Sequence, residues 1–320
     1  MEAILTTKVR PMVKDRRLQG YKAVLVDIVD WKRNERSALI KMNEDKFGRP
    51  FSYSDELILR ISALRFLYCD KLIPTEALTR QLYGLSPDHT TISRRMYRLN
   101  VKWTIKRKHK KGRLLAIDAS GISVCRTGSY RHSKYGGMPR FYKLHALIDV
   151  ETKEIVDLRV TKDRCHDNRK FIPMVGESAS SGDTVFADGA YDSRKNFFFL
   201  EKNGIKSGIK IRTTASITSN GCLPRKKAVM EQFSLLPHSH LEKIHPLAGK
   251  GQMFFSELER MKYWQQKWKD KMGYGRRWLV ESFFSAFKRR FGEHACSRRW
   301  KSVQNELKIK AMLYNRLLEA

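Results

Sequence analysis

Two short apolar segments, each ending in an aspartate, constrain the fold of this chain more than any other feature. Asp118 follows Leu-Leu-Ala-Ile at 114–117, and Asp188 follows Val-Phe-Ala at 185–187. Continuous apolar runs of this length indicate strands that are buried on both faces of a sheet. Burying a carboxylate is unfavourable, so we expect both side chains at the open ends of their strands, in the crevice where ligands bind. Taken singly, each aspartate is better explained as a turn residue.

The elements predicted around these strands indicate an α/β fold, namely a mixed sheet with helices packed on it. They follow one another as three strands, a helix, a strand, a helix and a strand, at 113–124, 141–150, 154–161, 167–175, 184–188, 193–202 and 205–211. Residues 213–272 interrupt this alternation with three prolines and several glycines, and they are predicted to form an insertion. Because the insertion lacks a clear strand pattern, we do not expect it to be a large β domain.

Three short helices are predicted over residues 53–100. Ser54 is expected to cap the first helix, Gly84 to end the second, and Asp88 to cap the third, which covers 89–99. The third helix is expected to expose small hydroxyl and basic side chains that suit base edges and phosphates, among them Thr90, Arg94 and Arg95. This arrangement is typical of a helix-turn-helix unit that binds DNA. A three-helix bundle with a solvated basic surface has the same pattern.

The net charge of the chain indicates nucleic acid as its partner. Lysine and arginine number 64 against 33 acidic residues, which gives a formal charge of +31. A surface this basic repels itself, and binding a phosphate backbone relieves the repulsion and releases counterions. The segment 101–113 contains no acid and is predicted to be a linker that follows a DNA backbone, with Lys106, Arg107 and Lys108 in contact. A nuclear-import signal has the same composition, and a structural basic protein can have the same charge.

Other features argue against several classes of protein. No run of about 18 apolar residues is present, so neither a membrane-spanning helix nor a membrane partner is expected. The first residues have neither the basic region nor the apolar region of a signal peptide. The five cysteines include no Cys-x-x-Cys pair, so a zinc ribbon and a disulfide framework are not expected. The sequence therefore predicts an intracellular protein.

A third acid lies on a long helix predicted over about 274–291. Tyr274, Arg277, Glu281 and Lys288 are separated by three, four and seven positions. At about 100° per residue, all four fall within about 60° of one helix face. Beside that face lies a stripe of five apolar residues, which is expected to pack on the sheet. An exposed helix with an i,i+4 ion pair would explain Arg277 and Glu281, but not the tyrosine or the apolar stripe.

The spacing of these four residues resembles the Tyr-(2)-Arg-(3)-Glu-(6)-Lys signature of bacterial and archaeal insertion-sequence transposases of the DDE type. Three further segments resemble landmarks of the same family in the same order, namely Ala-Ile-Asp-Ala-Ser at 116–120, His-Asp at 166–167 and Phe-Ala-Asp-Gly-Ala-Tyr-Asp-Ser at 186–193. The resemblance implies an RNase H-like catalytic domain over 114–320. It would follow an arm of unassigned fold at 1–52, the helix-turn-helix-like domain at 53–100 and the basic linker.

The resemblance also implies an activity. It implies a DNA transposase that binds the terminal inverted repeats of an insertion sequence, cleaves DNA strands and joins the 3′ ends to target DNA. Asp118, Asp188 and Glu281 are then the catalytic residues and the ligands of two Mg²⁺ ions, which Mn²⁺ can replace. Two metals about 3.5–4 Å apart activate the nucleophile and the leaving group, and Mg²⁺ favours carboxylate oxygens. No covalent protein–DNA intermediate is needed, in contrast to recombinases that use Tyr or Ser.

The other residues of the signature suit contacts with DNA. Arg277 and Lys288 suit phosphate clamping, and Tyr274 suits stacking or a phosphate contact near the cleaved end. The expected partner is double-stranded DNA, which comprises the transposon ends and the target. The complex with DNA can contain a homodimer. The expected location is the prokaryotic cytoplasm, in association with the nucleoid. The alternative is a helix-turn-helix DNA-binding protein whose nuclease-like domain is inactive, and the intact set of three acids argues against it.

Overall fold

The structure is a computed structural model that describes residues 32–69, 71–101, 112–123, 141–212, 221–233 and 257–319. Most of the predicted N-terminal arm, and the predicted DNA contacts Lys106, Arg107 and Lys108, lie outside the described residues. The chain forms two compact units. One comprises Met1–Lys102 together with Cys296–Ala320, and the other comprises Trp103–Ala295.

The second unit is built on a five-stranded mixed sheet. Its strands are β1 (Leu114–Ser123), β2 (Phe141–Asp149), β3 (Ile155–Lys162), β4 (Thr184–Ala187) and β5 (Lys206–Ile209), in the spatial order β3-β2-β1-β4-β5. β2 pairs antiparallel with β1 and with β3, whereas β4 pairs parallel with β1 and with β5. This is an RNase H-like sheet, so the predicted α/β class of the catalytic core is confirmed, whereas the helix-turn-helix-like domain stays a prediction.

The helices are numbered here along the described residues. In the first unit they are α1 (Lys32–Asn43), α2 (Asp55–Leu64), α3 (Leu72–Tyr83), α4 (His89–Arg98) and, near the end of the chain, α10 (Trp300–Glu319). In the second unit they are α5 (Asn168–Ser178), α6 (Arg194–Lys202), α7 (Leu223–Phe233), α8 (Glu257–Met272) and α9 (Trp278–Phe291). No helix in the described ranges combines the length and the apolar character needed to cross a bilayer.

The sheet forms because its strands are apolar enough to be covered by helices. Leu115 and Ile117 of β1 share a core with Val185 of β4, and Phe171 of α5 and Phe197 of α6 pack into the same core. α9 packs on β1 and β2, and the five apolar residues of its predicted stripe are all buried. The prediction that this helix packs on the sheet through its phenylalanines is therefore confirmed.

The insertion predicted at 213–272 is helical where the structure describes it. α7 and α8 pack against each other. Gln265 of α8 donates from Nε2 to the carbonyl of Ile211, just after β5, at 2.8 Å. Gln232 of α7 donates to the carbonyl of Ile209 at the end of β5, also at 2.8 Å. These two buried amides fasten the insertion to the end of β5, and its described part contains no strand.

The helix ends predicted in the first unit are confirmed. Oγ of Ser54 accepts the N–H of Leu57 at 3.0 Å, and the carboxylate of Asp88 accepts the N–H of Thr90 at 2.8 Å. Gly84 ends α3 with a φ of 74°, a left-handed conformation that favours glycine. The sequence signals at these three positions were therefore sufficient to locate the helix ends.

The C-terminal helix belongs to the first unit. Asn305 of α10 donates from Nδ2 to the carbonyls of Met96 and Leu99, at 2.8 and 2.9 Å, where α4 ends. The predicted catalytic domain extended to residue 320, whereas residues 296–320 pack with the N-terminal helices. The difference arises because a buried amide on α10 satisfies carbonyls more than 200 positions earlier in the chain.

Gly208 of β5 provides a test of how tightly the sheet is packed. A Cβ at this position would lie 2.4 Å from Cδ1 of Phe186 and 3.0 Å from the carbonyl oxygen of Val185. We predict that Gly208→Ala lowers the free energy of unfolding by about 1–3 kcal/mol, because overpacking displaces neighbouring groups. Gly121→Ala is the control, since its Cβ would meet the Phe141 ring at an ordinary 3.4 Å. Urea unfolding followed by circular dichroism measures both, and equal losses would contradict the prediction.

Candidate active site

The two predicted aspartates lie at equivalent positions of neighbouring parallel strands. β1 and β4 pair from Leu114–Thr184 to Ala116–Phe186, and Asp118 and Asp188 each follow two residues after the last pair. Neighbouring strands lie about 4.8 Å apart, so a shared register brings two such side chains to the same edge of the sheet. Asp188 directly follows β4, whereas β1 continues past Asp118 in its pairing with β2.

The surroundings of Asp118 favour a bound positive charge. Its Oδ1 accepts the N–H of Ala119 at 2.8 Å, and 23% of its side chain is exposed. Burial raises the pKa of the Asp118 carboxyl, and the negative charge of Asp188 raises it further, whereas Ala119 N–H and Arg277 lower it. Two carboxylates that share a partly buried site are stabilised in their charged forms by a cation.

Asp188 is presented by a loop that two arginines hold in place. Its Oδ1 accepts the N–H of Ala190 at 2.8 Å and so caps the 3₁₀ turn Gly189–Tyr191. Arg212 donates from Nε to the carbonyl of Gly189 at 2.6 Å. Arg225 donates to both carboxylate oxygens of Asp192, at 2.6 and 2.9 Å. The loop that follows the second acid is therefore fixed from the β5 side and from α7.

Arg277 joins the third acid to the first. Its Nη1 lies 3.1 Å from Oδ2 of Asp118, and its Nη2 pairs with Oε1 of Glu281. Glu281 lies in the first turn of α9 and is 57% exposed, whereas the Arg277 side chain is 19% exposed. One guanidinium, largely withdrawn from water, therefore connects a carboxylate of the sheet to a carboxylate of the helix.

Asp118 and Glu281 open into a cleft of about 760 Å³. Asp118 and Ser120 line it from β1, and Glu281, Lys288 and Arg289 line it from α9. Lys288 forms no ion pair with Glu281 in the described part of the chain. This was predicted, because the two residues are two helical turns apart. The first and third acids thus share one cleft with two cations.

The end of the cleft is formed by the chain that follows α9. His294, which lines the cleft, forms a parallel β-bridge with Ser123 at the end of β1. The N–H of Ser123 donates to Glu293 O, and the N–H of Ala295 donates to Ser123 O, both at 2.9 Å. The segment 293–295 therefore extends the sheet and places a histidine in the wall of the site.

Family models identify the chain from its sequence. A model described as "Transposase DDE domain" matches residues 109–316, and a second model with the same description matches residues 26–127. The first match covers well over half of the chain. The chain belongs to the transposase DDE domain family. It is therefore a DNA transposase, an enzyme of DNA cleavage and transfer, as its sequence motifs predicted.

Several solved structures are distantly similar to this transposase. The piggyBac transposase synaptic complex with hairpin DNA is 12% identical, with a TM-score of 0.41 over 94% of this chain and 74% of that chain. The simian T-cell lymphotropic virus intasome is 12% identical, with a TM-score of 0.22 over 65% and 67%. The pre-cleavage Mos1 transpososome is 13% identical, with a TM-score of 0.19 over 88% and 99%. These scores are too low to inform on the site.

The donor set of the transposase fits a hard divalent cation. In the described ranges, no three acidic, histidine or cysteine side chains are already gathered into a metal site. Asp118 and Glu281 instead share the guanidinium of Arg277, which supplies positive charge where these two carboxylates meet. Carboxylate oxygens from Asp118, Asp188 and Glu281 are the ligands that Mg²⁺ prefers.

The structure corrects the prediction for Tyr274 in two respects. The predicted helix began at this residue, whereas residues 274–277 form a 3₁₀ turn after Gly273, which has a φ of 64°, and α9 begins at Trp278. Tyr274 is also 7% exposed, and its hydroxyl donates to Ala187 O at 3.0 Å. Its ring packs edge-on to Phe186 and against Trp268. In this structure the Tyr274 hydroxyl is thus used at the end of β4, and its contact with DNA stays a prediction.

The predicted DNA contacts on α4 differ in their exposure. Thr90 and Arg94 are exposed, and Nη2 of Arg94 lies 3.3 Å from Oγ1 of Thr90. Arg95 is 7% exposed, which corrects the prediction that α4 presents it to solvent. Its guanidinium pairs with Asp55 at 2.7 Å and lies over the Phe51 ring. The burial of Arg95 depends on partners 40 or more positions away, which helical periodicity does not reveal.

Tyr274 can be tested with a change that removes only its hydroxyl. We predict that Tyr274→Phe lowers the free energy of unfolding by about 0.5–1.5 kcal/mol, the usual contribution of one hydrogen bond. We expect the affinity for the DNA end to stay within about twofold, because the hydroxyl already donates to Ala187 O. Thermal unfolding and gel-shift titration measure the two quantities. A Phe variant with wild-type stability and greatly weakened DNA binding would restore the predicted DNA contact.

Proposed function

We propose that this transposase binds the terminal inverted repeats of an insertion sequence, cleaves DNA strands there and joins the 3′ ends to target DNA. The observation that carries the proposal is the placement of the three acids. Asp118 and Asp188 occupy equivalent positions of adjacent parallel strands, and Arg277 links Asp118 to Glu281. Carboxylates at the ends of two neighbouring strands, one of them bridged by an arginine to a third on a helix, are unfavourable on a basic protein unless they have a cation to hold.

The carboxylates of Asp118, Asp188 and Glu281 would hold two Mg²⁺ ions, for which Mn²⁺ can substitute. Ions bound in this way activate the attacking oxygen and neutralise the charge that develops on the leaving oxygen. The chain itself prepares the ligands. Ala119 N–H orients Asp118, and Ala190 N–H orients Asp188. Arg277 holds Asp118 and Glu281 near each other, and bound ions would supply the positive charge between them in its place.

The cations of the cleft would position the DNA end. Lys288 and Arg289 line the cleft beside Asp118 and Glu281 and can bind phosphates that flank the scissile bond. Freed from the two acids, Arg277 could bind a phosphate through both arms of its guanidinium. Tyr274 would act indirectly, by holding the 3₁₀ turn that carries Arg277 against the end of β4.

The remaining expectations belong to the same proposal. Thr90 and Arg94 of α4, with Lys106, Arg107 and Lys108, would contact the inverted repeats. Arg95 would support α4 from within, because its guanidinium is buried against Asp55 and Phe51. The enzyme would act in the prokaryotic cytoplasm on nucleoid DNA, as a homodimer that brings two transposon ends together.

The three acids are tested by replacements of equal size. We predict that Asp118→Asn, Asp188→Asn and Glu281→Gln each lower the rate of Mg²⁺-dependent cleavage about 10³-fold or more, the equivalent of several kcal/mol of lost transition-state stabilisation. Affinity for the uncleaved end should change less than threefold, because no phosphate-binding cation is removed. Cleavage of a labelled transposon end and gel-shift titration measure the two effects.

Glu177→Gln is the matched control for the acids. Glu177 is an exposed acid of α5 that pairs with Arg159 on the surface. Its replacement should leave the cleavage rate unchanged. An acid variant that cleaves at the wild-type rate would remove that residue from the proposed metal site.

A further inference from the structure

A lysine lies on the side of Asp188 that faces away from β1. β5 pairs with β4 as far as Ala187–Ile209, and Lys210 is the next residue. The N–H of Lys210 donates to Ala187 O at 3.0 Å. A Cβ on Gly189 would lie 3.6 Å from Lys210 O. The backbone of Lys210 therefore lies beside the residues that precede and follow Asp188. It is one strand farther than Asp188 is from Asp118 and Glu281.

The insertion brings a second lysine to the same place. α8 is fixed there by the hydrogen bond from Gln265 to Ile211 O and by Trp268, whose ring centroid lies 5.4 Å from that of Tyr274. Lys269 follows Trp268 and is partly buried. Burial lowers the pKa of the Lys269 ammonium, the charge of Lys210 lowers it further, and Asp270 opposes this change. Lys269 lies one helical turn after Gln265, and Lys210 directly precedes Ile211, so the hydrogen bond from Gln265 to Ile211 O brings the two lysines to the same place.

Other cations near Asp188 are occupied. Arg225 pairs with Asp192, and Arg212 donates to the carbonyls of Gly189 and Ala190. By contrast, within the described residues neither Lys210 nor Lys269 has a carboxylate within ion-pair distance. Nζ of Lys269 has a long hydrogen bond of 3.4 Å to Oε1 of Gln266. Two like charges held together in a partly desolvated place are unfavourable unless an anion joins them.

We propose that Lys210 and Lys269 form a phosphate-binding site for the DNA on the far side of the scissile bond from the transposon end. That DNA is the flanking duplex during cleavage and the target duplex during joining. The inference rests on the proposed function, in which Lys288 and Arg289 hold the transposon end beside Asp118 and Glu281. DNA that crosses the three acids then has cations on both sides, because the strand order β1-β4-β5 places Lys210 beyond Asp188.

The site also gives the insertion a role. Residues 213–272 interrupt the alternation of strands and helices, and both described helices of that insertion, α7 and α8, reach the end of β5. The attachment of α8 through Gln265 and Trp268 fixes the position of Lys269 relative to Asp188. The insertion would thus extend the basic surface of the catalytic unit along the path of the second DNA segment.

The test uses Lys210→Gln, Lys269→Gln and the double variant in the full-length protein. Three measurements are compared: nicking of a transposon end that carries flanking duplex, joining of a precleaved end to a target plasmid, and binding of the precleaved end alone. We expect the double variant to lose roughly tenfold in nicking, in joining or in both. Binding of the precleaved end should change less than twofold. The logarithmic salt slope for binding the flanked end should fall by about 0.9 for each lost phosphate contact.

Lys267→Gln is the matched control. It removes one lysine of the same helix two positions earlier, about 200° around the axis from Lys269, where Nζ of Lys267 lies over the Tyr263 ring. All three measurements should remain at the wild-type level. The thermal midpoint of the double variant should equal or exceed that of the wild type, because the change removes a repulsion rather than a packing contact.

The outcomes separate the possible roles of the two lysines. A loss confined to nicking assigns the site to the flank, and a loss confined to joining assigns it to the target; either result supports the proposal. Unchanged nicking and joining in the double variant would overturn it. An equal loss in binding of the precleaved end would also overturn it, by assigning the lysines to the transposon end. Failure of the wild type to cleave with Mg²⁺ would instead contradict the proposed function.

Discussion

The shared ion pair of Arg277 is the interaction on which the arrangement of the site depends. One guanidinium contacts Asp118 in the sheet and Glu281 on α9, so it joins two elements that are otherwise held by apolar packing. Partly buried charges remain stable only when each has a partner with good geometry. Tyr274 supports the arrangement from one turn earlier, because its hydroxyl ties the 3₁₀ turn to Ala187 beside Asp188. In the proposed mechanism, Asp118 and Glu281 would hold metal ions that supply the positive charge now supplied by Arg277.

Much of the catalytic unit could be predicted from local patterns. Asp118 and Asp188 interrupt apolar strands, and their cost of burial alone predicted that they lie at an exposed edge. The phenylalanine stripe of α9 predicted its packing on the sheet, and the family motifs predicted an RNase H-like fold. These signals are short in range, because strand burial, helix caps and helical spacing are set by residues within a few positions of one another.

The features that the sequence did not reveal depend on distant partners. Arg95 has a spacing that suits exposure, yet Asp55 and Phe51 bury it. Tyr274 has the spacing of an ideal helix, yet the left-handed Gly273 starts a 3₁₀ turn that directs it into the core. His294 reaches the cleft only because the chain reverses after α9 and pairs with Ser123. Lys210 and Lys269 are brought together by hydrogen bonds between the insertion and β5, across 59 positions of sequence that no periodicity connects.

The central claim is that Asp118, Asp188 and Glu281 bind the catalytic ions, and that Arg277 releases Asp118 and Glu281 when they do so. Anomalous X-ray diffraction from crystals of the transposase bound to a transposon end and Mn²⁺ tests it most directly. We predict two anomalous peaks about 3.5–4 Å apart, with oxygen ligands from all three acids and with Arg277 moved from the carboxylates to a phosphate. Manganese bound elsewhere, or an Arg277 that still bridges Asp118 and Glu281 in a complex with bound metal and DNA, would contradict the claim.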